Sequence, residues 1–117
     1  LDSLRTFADV RDAVKAYYLL LTKNPILGEY YNIGGNHTCT IGEMLDFLLS
    51  QAKVKNIKIE VQKERLRPID ADNQIPDITK FQKHTGWKPE ISFEQTMIDL
   101  LNYWRLKVSL GKNFLVR

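Results

Sequence analysis

The sequence is poor in the residues from which short catalytic motifs are built. A single cysteine, Cys39, stands in 117 residues. That excludes an internal disulfide, argues against a metal centre and fits a reducing compartment. The two histidines, His37 and His84, are far apart and lack ligand spacing, so both are read as surface or structural residues. No apolar run reaches the roughly 18 residues of a membrane span, and no signal-peptide pattern is present. Neither G-x-G-x-x-G nor a G-K-S/T turn occurs, so Gly34-Gly35-Asn36 reads as a turn rather than a phosphate cradle. Charge of one sign is not concentrated either. Seventeen basic and fourteen acidic residues leave a net charge of +3. The pI near 9.0 comes with no like-charge block, and part of the basic surplus lies at Arg105, Lys107, Lys112 and Arg117. Nucleic acid is set aside as a partner, as is a membrane.

What the chain does have is amphipathic periodicity. Its hydrophobic content of 44% suits one packed domain or a piece of a larger one. Val10, Ala13, Val14, Tyr17, Tyr18 and Leu21 recur at helical spacing, which predicts a helix over about 10–22, with Asp9 as its cap and Asn24-Pro25 as its end. The β-prone run Glu29-Tyr30-Tyr31-Asn32-Ile33 predicts a strand at about 29–33. Thr40 and Glu43 have capping-box spacing, and the apolar stripe from Ile41 to Ala52 predicts a helix over about 41–53. Ile57, Ile59 and Val61 alternate with polar residues, giving a strand at about 57–62. A short helix follows from Asp77, its N-cap, to Gly86, and Ser92-x-x-Gln95 opens a closing helix over about 93–107. The tail from Ser109 shows no period. The order helix, strand, helix, strand, loop, helix, helix makes the fold α/β or α+β. Two strands are a poor sheet for these helices, which points to a packing surface outside the chain. The start at Leu1 rather than Met is consistent with a fragment.

Chemistry concentrates in Arg65-Leu66-Arg67-Pro68-Ile69-Asp70-Ala71-Asp72. Guanidinium forks hold phosphate bidentately, and neighbouring carboxylates accept from hydroxyls. Proline holds the preceding Arg67 extended, on an open loop. Arg5 is a further arginine on a non-helical segment. A diphosphate linked to sugars presents both kinds of group, so a nucleotide sugar fits this equipment, while a solvated turn is the plain alternative. No catalytic constellation accompanies it. Tyr103 and Lys107 have i, i+4 spacing, but at the end of a surface helix, and are read as incidental.

Four motifs stand in order: Arg5-Thr6-Phe7-Ala8-Asp9-Val10-Arg11-Asp12, Tyr31-Asn32-Ile33-Gly34, Arg67-Pro68 with acids at 70 and 72, and Gly86-Trp87-Lys88-Pro89. Over residues 1–105 the chain resembles the C-terminal part of an extended short-chain dehydrogenase/reductase of the NAD-dependent epimerase/dehydratase family. Within that family it is most similar to the GDP-mannose 4,6-dehydratase and GDP-4-keto-6-deoxy-mannose reductase groups. The resemblance implies a missing N-terminal Rossmann half that carries the NADP or NAD turn and the catalytic Ser/Thr, Tyr and Lys. On this reading the present chain holds no catalytic or cofactor-binding residue and is inactive alone. The resemblance implies that Arg5 and Arg67 contact the diphosphate and Asp70 the nucleotide ribose, with Arg65 and Asp72 in support. Thr6 departs from the acid common at its position. Residues 1–36 are expected to complete the Rossmann sheet, 37–108 to form a substrate-binding lobe, and 109–117 to be a loosely held tail. The substrate is expected to be a GDP-sugar, and the whole enzyme a cytoplasmic homodimer or homotetramer. A stand-alone binding module is the reading from another class.

Overall fold

The computed structural model describes residues 1–62 and 73–111. Seven elements follow in order: β1 (Leu4–Phe7), α1 (Val10–Thr22), β2 (His37–Thr40), α2 (Ile41–Ser50), β3 (Asn73–Gln74), α3 (Thr79–Thr85) and α4 (Phe93–Ser109). The α/β class stands, but the strands are not where periodicity put them.

Strand β1 is the centre of a three-stranded mixed sheet of order β2-β1-β3. It runs antiparallel to β2, with Arg5 opposite Cys39 and Phe7 opposite His37. It runs parallel to β3, with Leu4 opposite Asn73 and Arg5 opposite Gln74. None of these strands exceeds four residues, too short for an alternation to show in sequence. The expected strands at 29–33 and 57–62 have no ladder partner among the described residues. Tyr31 and Ile33 nevertheless pack on a core cluster. At 57–62 the alternation meets no sheet edge among the described residues, and Ile57, Ile59 and Val61 stay exposed.

The helices agree more closely. α1 spans the predicted residues, and Asp9 accepts from the Arg11 backbone N–H as N-cap. The Thr40–Glu43 capping box is reciprocal and starts α2, which ends three residues before the expected limit. α3 starts at Thr79, two residues beyond the expected cap. Asp77 still accepts the Thr79 N–H at 2.9 Å, although the residue at the cap position is Ile78. Gly86 closes α3 in the left-handed region at φ 73°. α4 opens on Ser92, which accepts from Gln95 N–H, and runs to Ser109.

Two small cores result. Ala16, Phe81 and Trp87 form one, with Leu19, Leu20, Tyr31, Ile33 and Ile78 packed around it. Cys39, Phe93 and Met97 form the other, under Phe7, Met44, Phe47 and Leu48. Each fully buried apolar side chain stabilises by about 1.5–3 kcal/mol. The periodic stripe of α1 lies mostly outside both cores: Val14, Tyr17 and Leu21 are 62%, 63% and 75% exposed. α1 is apolar on two sides. Within this chain the side bearing Ala16, Leu19 and Leu20 is covered, and the broader side is bare.

Candidate functional site

The site residues expected from sequence divide into two groups. Arg65, Arg67, Asp70 and Asp72 lie outside the described residues. Arg5 lies on the central strand, half-buried, and donates from Nη1 to the Leu4 carbonyl at 2.9 Å. The first described residues after Asp72 are Asn73 and Gln74, and these pair with Leu4 and Arg5. In sequence, the arginine–proline stretch ends immediately before this strand.

Strand alternation sorts the surroundings of Arg5 into two faces. Arg5, Phe7, His37 and Cys39 share one face, because Arg5 pairs with Cys39 and Phe7 with His37. On that face the His37 ring lies flat on Phe93 at 4.3 Å between centroids and 18° between planes. Phe7 and Phe47 tilt against the same Phe93 ring at 5.5 Å. A cavity of about 340 Å³ opens there, lined by His37, Thr38, Cys39, Glu43, Phe47, Phe93 and Glu94. Burial, with a smaller contribution from Glu43, pushes the Cys39 thiol up, so it is a poor nucleophile. On the other face Thr6 shares a 2.9 Å hydroxyl–hydroxyl bond with Thr38. A second cavity of about 550 Å³ is lined there by Thr6, Ala8, Asn32, Gly34, Asn73, Gln74 and neighbours.

The turn from β1 into α1 is anchored by carboxylates that periodicity did not single out. Asp9 is buried. Arg11 grips it through Nε to Oδ1 and Nη2 to Oδ2, both at 2.8 Å. The Thr96 hydroxyl donates to Asp9 Oδ2 at 2.8 Å, and Arg11 reaches on to Asp99 at 2.7 Å. The Arg11 side-chain bond, more than any other group, holds the Asp9 carboxyl well below the usual carboxylate range. Asp12 is also buried, and its Oδ2 accepts the backbone N–H groups of Glu90 and Ile91, each at 3.0 Å. Two acids flanking an arginine in the first turn of an apolar helix are the sequence signal for both.

Gly34 and Gly35 are packing glycines. A Cβ on Gly35 would stand 1.5 Å from the Phe7 carbonyl oxygen, and one on Gly34 would stand 2.4 Å from Pro76 Cγ. Both glycines are therefore kept by close packing against β1 and Pro76. The Tyr103–Lys107 pair is a cation–π contact at 5.2 Å on the exposed end of α4. No group of three or more metal-ligating side chains occurs among the described residues, and no helix among them is long and apolar enough to cross a membrane.

A family model described as GDP-mannose 4,6 dehydratase matches residues 1–100. The chain belongs to this family. Its extended short-chain dehydrogenase character, inferred from four ordered motifs, is thereby established. The GDP-6-deoxy-D-mannose reductase of Pseudomonas aeruginosa is 30% identical over 108 residues, covering 92% of this chain and 35% of the relative. The dTDP-glucose 4,6-dehydratase of Haemophilus influenzae is 32% identical over 110 residues, covering 86% and 32%. The solved structure of RMD from Pseudomonas aeruginosa complexed with NADPH superposes with a TM-score of 0.76 at 30% identity, over 91% of this chain and 34% of that one. The chain thus spans about a third of the length of these relatives, and the family is one of enzymes.

Proposed function

We propose that this chain is the nucleotide-sugar-binding portion of a GDP-mannose 4,6-dehydratase, which in its whole form converts GDP-mannose to GDP-4-keto-6-deoxy-mannose with loss of one water. The observation that carries the reading is the parallel pairing of Gln74 with Arg5. In sequence, Arg65, Arg67, Asp70 and Asp72 stand just before Asn73 and Gln74, the strand that lies beside Arg5. Arg5 and Arg67 clamp the diphosphate through charge-assisted bonds. Asp70 accepts from the ribose, and Arg65 and Asp72 support the two.

Residues 1–36 complete a Rossmann sheet in the whole protein, and 37–108 form the substrate lobe. Two observations support this division. The run 29–33 lacks a ladder partner among the described residues, and α1 turns Val14, Tyr17 and Leu21 outward. A sheet edge and a sheet face would satisfy both. NADP or NAD binds to that Rossmann half, a reading supported by the relative solved with NADPH. The whole protein works in the cytoplasm as a homodimer or homotetramer, with this chain's own Rossmann half as the partner of residues 1–36. The 117 residues alone turn nothing over.

A second reading, GDP-4-keto-6-deoxy-mannose reductase, is favoured by the Pseudomonas aeruginosa reductase and its structure. Incubating the full-length protein with GDP-mannose and a catalytic amount of NADP separates the two. The dehydratase forms the keto sugar without net cofactor turnover. The reductase leaves GDP-mannose untouched and oxidises NADPH only when given the keto sugar. A protein inert in both assays contradicts the reading.

A further inference from the structure

We propose that residues 57–62 pair with the same segment of a second copy of this chain, as an antiparallel two-fold β-ribbon centred on Ile59. The pairing rests on the homo-oligomer reading given above and names the surface through which two copies meet. It is independent of the sugar nucleotide that the protein binds.

The segment has the pattern of a strand and no sheet to join. Ile57, Ile59 and Val61 alternate with Lys58, Glu60 and Gln62, which gives a β-strand one apolar face. The run has no ladder partner among the described residues, and its three apolar side chains are 49%, 48% and 55% exposed. Asn56, at φ 62°, turns the chain into it after α2. Leu49, Val54 and Ile57 line a cavity of about 200 Å³, so the apolar row continues onto the end of α2. Neither proline nor glycine interrupts the run, so its two charges decide what can pair with it. Among the described residues neither Lys58 nor Glu60 makes an ion pair.

Charge selects both the partner and the register. Between two identical antiparallel strands, the apolar side chains stay on one face only when odd-numbered residues stand opposite odd-numbered ones. Three such registers are centred within the middle of the run. Centring on Lys58 sets two lysines opposite each other, and centring on Glu60 sets two glutamates opposite each other. Centring on Ile59 places each Lys58 opposite Glu60 of the second copy, Ile57 opposite Val61, and Asn56 opposite Gln62. Opposite charges facing across strands stabilise a pair and like charges destabilise it. An in-register parallel pairing would set like against like throughout. The sequence is therefore complementary to itself in one antiparallel register, which closes on a two-fold axis, the commonest symmetry of homo-oligomers.

The test is sedimentation equilibrium of the full-length protein and its Lys58→Glu and Glu60→Lys variants at micromolar concentration. Each variant alone sets like charges opposite each other twice across the seam, and is expected to sediment at half the wild-type mass. Mixed in equal amounts, the two variants restore opposite charges and should recover the wild-type mass. Mixing does not rescue a variant that has merely misfolded. Wild-type mass in both variants, or no recovery on mixing, overturns the proposal, while an oligomeric wild type leaves the homo-oligomer reading standing. Wild-type mass with a lowered thermal midpoint also overturns it, and assigns the strand to the remainder of its own chain. A monomeric wild type overturns both.

Discussion

The indole N–H of Trp87 donates to the backbone carbonyl of Asp12 across 75 residues of chain, at 3.1 Å. The Asp12 carboxylate returns the contact, taking the Glu90 and Ile91 N–H groups on one oxygen. The Gly86-Trp87-Lys88-Pro89 motif is thereby stapled to the first turn of α1, which gives a physical reason for two of the family motifs to occur together.

Because a single oxygen of Asp12 receives both donors, a neutral amide oxygen can replace it. Asp12→Asn should cost less than about 1 kcal/mol, whereas Asp12→Ala strands two backbone donors and should cost about 2–3 kcal/mol. Urea unfolding of the full-length protein measures the difference. Equal losses for the two variants would show that the negative charge matters more than the acceptor.

Asp9 makes stability depend on acid. Its folded-state carboxyl is depressed, first by the Arg11 side-chain bond, so it contributes stability above the unfolded value of about 4 and loses it as pH falls below that. Thermal midpoints should hold from neutral pH to about 4 and then fall. Asp9→Asn should flatten that acid limb while lowering the midpoint at pH 7. An unchanged limb in the variant argues against this carboxyl as the source.

Helix boundaries were legible in the sequence because a 3.6-residue stripe, a capping box, N-cap side chains and a terminal glycine are local signals. Asp9, Thr40, Ser92 and Gly86 act where they were read. Strands were not legible. β1 and β2 are four residues each, and β3 is two; pairing between distant segments decides them, and periodicity does not report pairing. The covered face of α1 was not legible for a related reason. Its stripe shows where apolar residues lie, but packing chooses which of two apolar sides this chain itself covers. Arg5 was singled out by its residue type, whereas the cavity on its face of the sheet arises from the β1–β2 register.

Glycine substitution separates crowding from conformational strain. Gly35→Ala would drive a Cβ into the Phe7 carbonyl and should cost about 2–3 kcal/mol. Gly28 stands at φ 80° in open space, so Gly28→Ala should cost only about 1–2 kcal/mol, through backbone strain. Chemical denaturation ranks the two, and a milder Gly35→Ala contradicts the packing role of that turn.

The bare side of α1 is expected to be covered in the whole protein. Tyr17, 63% exposed in this chain, should then tolerate charge poorly, and Tyr17→Lys in the full-length protein should lower stability by about 2–3 kcal/mol. A change within about 0.5 kcal/mol would mean that the side faces water there too.

The central claim is that two arginines distant in sequence, Arg5 and Arg67, hold one diphosphate. Calorimetric titration of GDP-mannose into the full-length protein and its Arg5→Ala and Arg67→Ala variants tests it most directly. Each variant should lose about 1.5–3 kcal/mol of binding free energy, the worth of a charge-assisted contact. Undiminished affinity in both variants would contradict the account.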